Sequence, residues 1–347
     1  MCRVTGTAKA PPARPPLTAL LRRYEDAGTP LTCEPVPRGL LNRGYEVTTT
    51  RGRFFLKQYV APDTADPAVI ARQHHATRGL AGLGLPAAAP LPDRRGRTVA
   101  RLGGHGYALF PWIEGRHREG TELSAAQSRR LGTLLGMVHA GLARVQPPPP
   151  ADRRHHPSAD PARTHEQIDE LLDLVRGHRP RDTFDELAEH RLLERRALLR
   201  RHAHRRPPDA DGPVSGWVHG DFHPLNLLYR GEEPAAIVDW DRLGVQPRAE
   251  EAVRAAAIFF VHPVDGRLDL PKVRSYARAY RSAAGVSAPE VGAAVHRVWW
   301  ERLNDFWMLH WRYQRRDRRS DPLFPAASAL AVWWTAEYAA VMDSFTD

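Results

Sequence analysis

Lysine is nearly absent from this chain: Lys9, Lys57 and Lys272 are the only three among 50 basic residues. The scarcity makes each of them informative, and Lys57, set within Phe54-Phe55-Leu56-Lys57-Gln58-Tyr59, reads as chemistry and not as solvent-facing charge. Cysteine is scarcer still. With only Cys2 and Cys33 there is no disulfide framework and no zinc-knuckle spacing, which suits a reducing compartment. No apolar run approaches the length of a membrane span, and Met1 to Pro16 lacks the apolar core of a secretory leader, so a soluble, cytoplasmic protein with no membrane partner is expected. The formal net charge is +10, yet no aromatic-rich basic module accompanies it, and no nucleic-acid partner is expected. Arginine alternates with acids, as in Glu194-Arg195-Arg196, so much of the charge reads as solvated helix surface. The histidines between Thr164 and Arg206 lack H-E-x-x-H spacing, and no internal repeat is evident.

What is present is ordinary for a globular chain, with 42% hydrophobic and 26% charged residues, while 31 prolines point to several irregular connections. A length of 347 residues exceeds what one small core usually organises, and two lobes are expected. Most of the chemical information lies in Trp217 to Asp241. His219, Asp221, His223 and Asn226 form a polar cluster. Leu227 to Tyr229, the Gly231 turn and the β-rich Ile237-Val238 then lead to Asp239 and Asp241, so a hairpin would bring both polar groups to one end. Carboxylates gathered there need a cation. Asp221 and Asn226 are five apart, with a His two before the Asp, which is also the spacing of the protein-kinase catalytic loop; Asp239 stands where the metal-binding Asp of D-F-G would.

On His219-Gly220-Asp221-Phe222-His223-Pro224-Leu225-Asn226 and Asp239-Trp240-Asp241, the chain resembles the aminoglycoside phosphotransferase and choline kinase family. The resemblance implies an α+β, protein-kinase-like fold: a flexible tail over 1–16, a nucleotide-binding lobe with a small antiparallel sheet over 17–110, and a larger, mainly helical catalytic and acceptor-binding lobe over 111–347. It also implies ATP, or GTP in its place, and Mg²⁺. Asp221 would accept the proton of an acceptor hydroxyl, Asn226 and Asp239 would hold the metal with Asp241 as an added contact, and Lys57 would steady the phosphates. His219 and His223 would support the loop. Backbone groups at Phe110, Trp112 and Ile113 would meet the adenine, although the local pattern fits a core strand and turn equally well. A helix Glu usually pairs with the strand lysine in this family; its place here falls on Gln73. An Asp often stands at the position of Glu251, so that structural tie is expected to differ. The acceptor would be a small hydroxyl compound: an aminoglycoside-like antibiotic, an amino alcohol, homoserine or a sugar. Oligomeric state is left open.

Around these motifs, Thr18 to Ala27 and Asp66 to Leu83 have helical apolar spacing, the latter stopped by Gly84 and Pro86. Tyr45 to Thr50 and Arg53 to Val60 read as a hairpin through Arg51-Gly52, with Phe55, Lys57 and Tyr59 on one face and Phe54, Leu56 and Gln58 on the other. Arg38 to Gly44 is a weak candidate for a nucleotide-covering turn. Ser124 to Val145 is an amphipathic helix capped by Ser124, with His139 as a buried hydrogen-bonder. Gln146 to Pro161 reads as a linker. Thr164 to Arg206 is helical, burying Ile168, Leu171, Leu172, Val175, Leu187, Leu192, Leu193, Leu198 and Leu199; its Glu166, Asp169, Glu170 and Asp173 could form an acidic wall for a polycationic acceptor, against interleaved arginines. The tryptophans of the C-terminal helices read as core, with an aromatic wall as the lesser alternative. Two other functions fit parts of the pattern. A non-catalytic nucleotide-binding protein would tolerate Gln73, and a metallohydrolase could use the His219/Asp221/His223 cluster, although zinc would want further histidines.

Overall fold

The computed structural model describes residues 15–36, 42–60, 66–148, 157–209 and 215–347. Most of the expected tail (1–14), the first part of the Arg38 to Gly44 turn (37–41) and the centre of the linker (149–156) lie outside the described residues. The chain forms two compact units, one of Met1–His74 with Ala88–Trp112 and the other of His75–Ala87 with Ile113–Asp347.

The first unit begins with helix α1 (Leu17–Leu21), followed by strands β1 (Pro30–Val36), β2 (Arg43–Thr49) and β3 (Gly52–Tyr59), the first half of helix α2 (Pro67–Gly82), whose second half belongs to the other unit, and strands β4 (Ala100–Leu102) and β5 (His105–Pro111). Its strands make one antiparallel sheet in the order β1-β2-β3-β5-β4. Helix α1 is shorter than the apolar spacing predicts. The amides of Arg23 and Tyr24 bond three residues back, to the carbonyls of Leu20 and Leu21, so the helix closes in a tighter turn. Of the residues at helical spacing, Leu20, Leu21 and Tyr24 are buried and Leu17 is half-buried. The two faces of β3 separate as a strand period requires. Leu56, with Phe54, packs into the cluster built on Leu20, Val47 and Leu109, while Tyr59 packs with Ile70 and Ala108 on the opposite side. The Lys57 ammonium shares the Tyr59 face, 5.6 Å from the centre of that ring.

The second unit is mainly helical. Helix α3 (Ala125–Val145) is capped as expected, with the Ser124 hydroxyl accepting from the Gln127 amide and the Gln127 side chain accepting from the Ser124 amide. Helices α4 (Pro161–Gly177) and α5 (Thr183–His202) follow, capped by Asp160 and Asp182. Short strands β6 (Ser215–Val218), β7 (Leu227–Arg230), β8 (Glu233–Ile237) and β9 (Gly244–Pro247) pair as β6-β9 and β7-β8. Helices α6 (Arg248–Phe259), α7 (Leu270–Ala284), α8 (Ala288–Asn304), α9 (Trp307–Tyr313), α10 (Phe324–Ala336) and α11 (Tyr338–Thr346) complete it. One hydrophobic cluster runs through the unit. Helices α3 and α7 approach so closely that a Cβ at Gly132 would lie 2.1 Å from the Tyr276 carbonyl oxygen. Trp299, Trp300 and Trp334 are fully buried, so these rings are core and not a wall for a ligand. Helix α5 buries Leu192 and Leu199, seven residues apart, whereas Leu193 is 42% exposed: a neighbour in sequence lies about 100° around the helix.

Candidate active site

Strand β6 delivers the chain to His219, and Gly220 then turns it sharply with φ +84°. Only glycine fits there. A Cβ would sit 2.1 Å from the Arg242 carbonyl oxygen, and the left-handed φ would strain any other residue. The turn is held from below by Glu251 in the first turn of α6. One carboxylate oxygen accepts from the His219 amide at 3.2 Å and lies 2.6 Å from His139 Nε2, and the other accepts from the Gly220 amide. His139 is completely buried and bonds the Tyr280 hydroxyl through Nδ1 at 3.1 Å, which makes it the structural hydrogen-bonder the sequence predicts. At Glu251, where the structural tie is expected to differ, the carboxylate holds the loop directly. The longer side chain reaches both backbone amides and the histidine. Burial by itself would raise its carboxyl, but the hydrogen bond and charge of His139, with His219 and the Gly220 amide, hold it below the usual range.

His219 is also fully buried. Its Nε2 donates to the Val238 carbonyl at 3.0 Å and its Nδ1 accepts from the Asp221 amide at 3.2 Å, so both ring nitrogens are committed and the ring is neutral. Burial pushes its pKa down. The ring thereby couples the backbone before Asp239 to the backbone of Asp221. Because neither nitrogen is free, His219 is unavailable as a metal ligand, and the reading of His219, Asp221 and His223 as a metallohydrolase cluster fails on geometry. Among the described residues, no three His, Cys, Asp or Glu side chains are grouped to hold a metal on their own.

Asp221 projects its carboxylate from this fixed loop and is 37% exposed. His223 Nε2 lies 3.5 Å and Arg242 Nε 3.7 Å from the same oxygen. Burial opposes ionisation, but the hydrogen bond and charge of His223, then the charge of Arg242, hold the carboxyl below its ordinary value. His223 caps a single 3₁₀ turn by accepting the Leu225 amide on Nδ1. Asn226 in that turn is buried, and its amide nitrogen donates to the Asp221 carbonyl at 2.8 Å. The amide oxygen, the atom a hard cation takes, is therefore turned away from that bond. The hairpin β7-β8 forms as predicted, with Gly231 at φ +59° in its turn. The Val238 amide donates to the Asn226 carbonyl at 2.9 Å, which brings Asp239 to the same end of the hairpin as Asn226. Asp239 is exposed and left-handed, at φ 58° and ψ 66°, a conformation rarely kept by a residue with a side chain unless its surroundings enforce it. Trp240 supplies that enforcement: it is buried, its indole nitrogen donates to the Ile237 carbonyl, and its ring lies 4.5 Å from the His219 ring. Asp241 follows, half-buried, in the 3₁₀ turn that carries Arg242.

The first unit holds the remaining expected residues. Lys57 lies opposite Ala108 of β5, and Gln73 is buried on α2 beside His74, whose ring bonds Tyr59 and Thr98. Phe110 and Trp112 lie at the end of β5, and Ile113 opens the second unit. The Trp112 amide donates to the Arg53 carbonyl, so Trp112 has only its carbonyl and side chain to offer a base. Arg242 was not singled out in the sequence, although a basic residue directly after Asp239-Trp240-Asp241 was the available signal. The acidic wall on α4 is weakened, since Asp169 pairs with Arg196. A cavity of about 520 Å³ is lined by Asp173, His178, Arg312, Arg316 and Arg318, with Arg312 paired to Asp182 and Asp321.

These pKa shifts set a pH dependence of stability. His219, Glu251 and Asp221 all have folded values below their ordinary 6.5, 4.5 and 3.8, so in each case the unfolded chain takes up its proton first as the pH falls. Their contribution is complete above about pH 6.5 and is lost in two stages on acidification, first through His219 and then through the carboxylates. Thermal unfolding between pH 8 and 4 should show Tm falling from about pH 6.5 downward. A Tm that is flat or rises from pH 7 to 5 would refute this.

The chain matches the model of the phosphotransferase enzyme family over residues 32–286. It is 24% identical over 297 residues to a homoserine kinase of Methylobacillus flagellatus, covering 81% of this chain and 82% of the relative. It is 27% identical over 235 residues to a homoserine kinase of Rhodopseudomonas palustris, covering 65% of this chain and 62% of the relative. Among solved structures it is similar to an amicoumacin kinase in complex with AMP-PNP, Ca²⁺ and its antibiotic, at 17% identity and a TM-score of 0.59, over 95% of this chain and 93% of that one. It is likewise similar to a spectinomycin phosphotransferase with ADP and spectinomycin, at 15% identity and a TM-score of 0.62, over 94% and 98%. These likenesses give the chain a protein-kinase-like fold.

Proposed function

This chain belongs to the phosphotransferase enzyme family, and from that premise we propose that it transfers the γ-phosphate of ATP, with Mg²⁺, to a hydroxyl group of a small molecule, using Asp221 as the base. The observation that carries the reading is an ionised Asp221 on a loop whose backbone is fastened from three sides, by Glu251, His219 and Asn226. Phosphoryl transfer asks the protein mainly for positioning and charge stabilisation, and fixed backbone with one projecting carboxylate is what positioning requires. Asp221 orients the acceptor hydroxyl and takes its proton as the oxygen attacks phosphorus. His223 and Arg242 keep that carboxylate ionised beforehand. Arg242 also places a positive charge at the developing phosphoryl oxygens.

Asn226 and Asp239 supply oxygen donors at one end of the hairpin, the donor type that Mg²⁺ prefers, and Asp241 adds an outer contact. The metal would supply charge neutralisation for the phosphate oxygens. Lys57 steadies the α- and β-phosphates, Phe110, Trp112 and Ile113 border the adenine, and Gln73 takes the place of the helix partner of Lys57. The amicoumacin kinase and spectinomycin phosphotransferase complexes contain AMP-PNP and ADP, which supports ATP as donor, with GTP as the alternative. The relatives named as homoserine kinases put homoserine first among acceptors.

The test is ADP release from Mg·ATP over a panel of homoserine, short amino alcohols, sugars and aminoglycosides. Acceptor-dependent release with one class supports the reading. No release with any, alongside a nucleotide-dependent rise in Tm, would leave the non-catalytic alternative in its place. Asp239→Ala should remove the Mg²⁺-dependent part of the stabilisation by ATP, with a small loss of stability without nucleotide because Ala tolerates the left-handed φ of 58° less well than Asp does. An unchanged Mg·ATP titration in that variant would sink the metal assignment.

A further inference from the structure

In the second unit, away from the catalytic loop in sequence, α5, the end of α8, the start of α9 and α10 enclose a cavity of about 40 Å³. That is room for two or three waters or for one compact oxyanion. Its lining joins Arg191, Arg195 and Arg302 with apolar walls from Phe306 and Phe324, and Asp305 is its one acid. Arg191 is paired with Glu194 at 2.6 Å. Asp305 takes the Trp307 amide on one oxygen.

Arg195 is the anomaly. It is 6% exposed, its Nη1 donates to the Arg302 carbonyl, and its Nε has no hydrogen-bond partner. Among the described residues no carboxylate forms an ion pair with Arg195 or with Arg302, whose Nε is also buried and unpartnered. The Phe306 ring, 5.6 Å from the Arg195 guanidinium, offers a weak cation–π contact. Burial draws the Arg195 pKa down to about 10, with Asp305 and Glu194 opposing, so the group is still charged at neutral pH. A buried cation that keeps its proton, with no carboxylate in hydrogen-bonded contact and only the charges of Asp305 and Glu194 nearby, is unfavourable. An anion in the cavity removes that penalty, and guanidinium forks are shaped for planar or tetrahedral oxyanions.

We propose that this cavity is an anion site, in which Arg195 and Arg302 bind a compact oxyanion, a carboxylate or a phosphate. The proposal is independent of the phosphotransfer reading, because a chain without turnover would bind the same anion.

The test is thermal unfolding of the full chain at pH 7 in sodium acetate, in sodium phosphate and in sodium chloride, at matched ionic strength. At about 100 times the dissociation constant, acetate or phosphate should raise Tm over chloride by roughly 3–8 °C. Which of the two raises it identifies the source of the oxyanion. Arg195→Met should abolish the rise, while its Tm in chloride stays close to that of the parent, because a buried charge without a hydrogen-bonded carboxylate has been replaced by an apolar chain of similar reach. No rise with either anion overturns the proposal. A rise that survives in Arg195→Met assigns the anion to another place and overturns it equally. Should Arg195→Met fail to fold, Arg302→Gln decides: the rise should shrink by at least half, and an undiminished rise is fatal.

Discussion

Asp221→Asn is expected to lower kcat by about 10²–10⁴-fold with nucleotide affinity kept within about threefold. The separation follows from which atoms hold the loop. Asp221 is fastened through its amide, which donates to His219, and its carbonyl, which accepts from Asn226. Neither bond involves the side chain. An Asn at this position therefore leaves the backbone, the orientation of Asn226 and the hairpin end carrying Asp239 where they are, and removes only the negative charge that takes the proton. His223 keeps the Leu225 amide as a partner. Single-turnover rates and a nucleotide titration on the same preparation separate the outcomes. A kcat within tenfold of the parent removes Asp221 as base. A loss that falls on nucleotide affinity instead would make the carboxylate a metal ligand. The pH profile gives a second check. Because the Asp221 carboxyl is held below 3.8, the acid limb of kcat should not reach half-loss at or above pH 4.5 while the protein stays folded.

How much of this could be read in the chain beforehand depends on the reach of each interaction. The capped helix α3, the β2-β3 hairpin and the β7-β8 hairpin are local: Ser124 and Gln127 cap each other across three residues, and Gly231 turns a strand back on its neighbour. Such patterns are legible because cap, turn and apolar period lie in one window. The alternation that puts Lys57 with Tyr59 and Leu56 with the other cluster is equally local. Helix α1 is shorter than its spacing predicts because Leu17, Leu20, Leu21 and Tyr24 fit a helical period whether the chain continues as helix or as successive turns. Leu193 was placed inside because hydrophobicity says nothing of which face α4 and α8 cover. The long-range bonds were illegible. His139 and Glu251 are 112 residues apart, and the motif fixes only one end of the tie to Gly220. The left-handed Asp239 and the committed Trp112 amide are backbone facts that no side-chain pattern states.

Glu251→Ala is expected to destabilise the protein by about 3–5 kcal/mol, a drop of roughly 6–15 °C in Tm, and to reduce kcat as well, although Glu251 is remote from any reacting atom. The size comes from what the truncation leaves behind. Three donors meet on this one buried carboxylate, the amides of His219 and Gly220 and the ring of His139, and all three would lose their acceptor. A buried donor left unpaired is worse than the loss of an average hydrogen bond. Glu251→Gln separates charge from geometry. Its amide oxygen can still accept one backbone N–H, but its amide nitrogen faces the remaining donors, so a smaller loss of about 1–3 kcal/mol is expected. The acid side tells the two apart further. The parent loses stability below about pH 4.5 partly because its Glu251 carboxyl is held below that ordinary value, and the Gln variant lacks the group that titrates. The gap between parent and variant should therefore narrow from pH 7 to pH 4. Urea unfolding at both pH values measures it. A Glu251→Ala protein that melts within a degree of the parent, or a gap that widens on acidification, would mean the loop is held by its hairpin and by Trp240, with Glu251 a passenger. The expected coupling of a stability defect to a turnover defect, with the Asp221 side chain itself untouched, is what distinguishes a residue that positions the loop from one that merely fills the core beneath it.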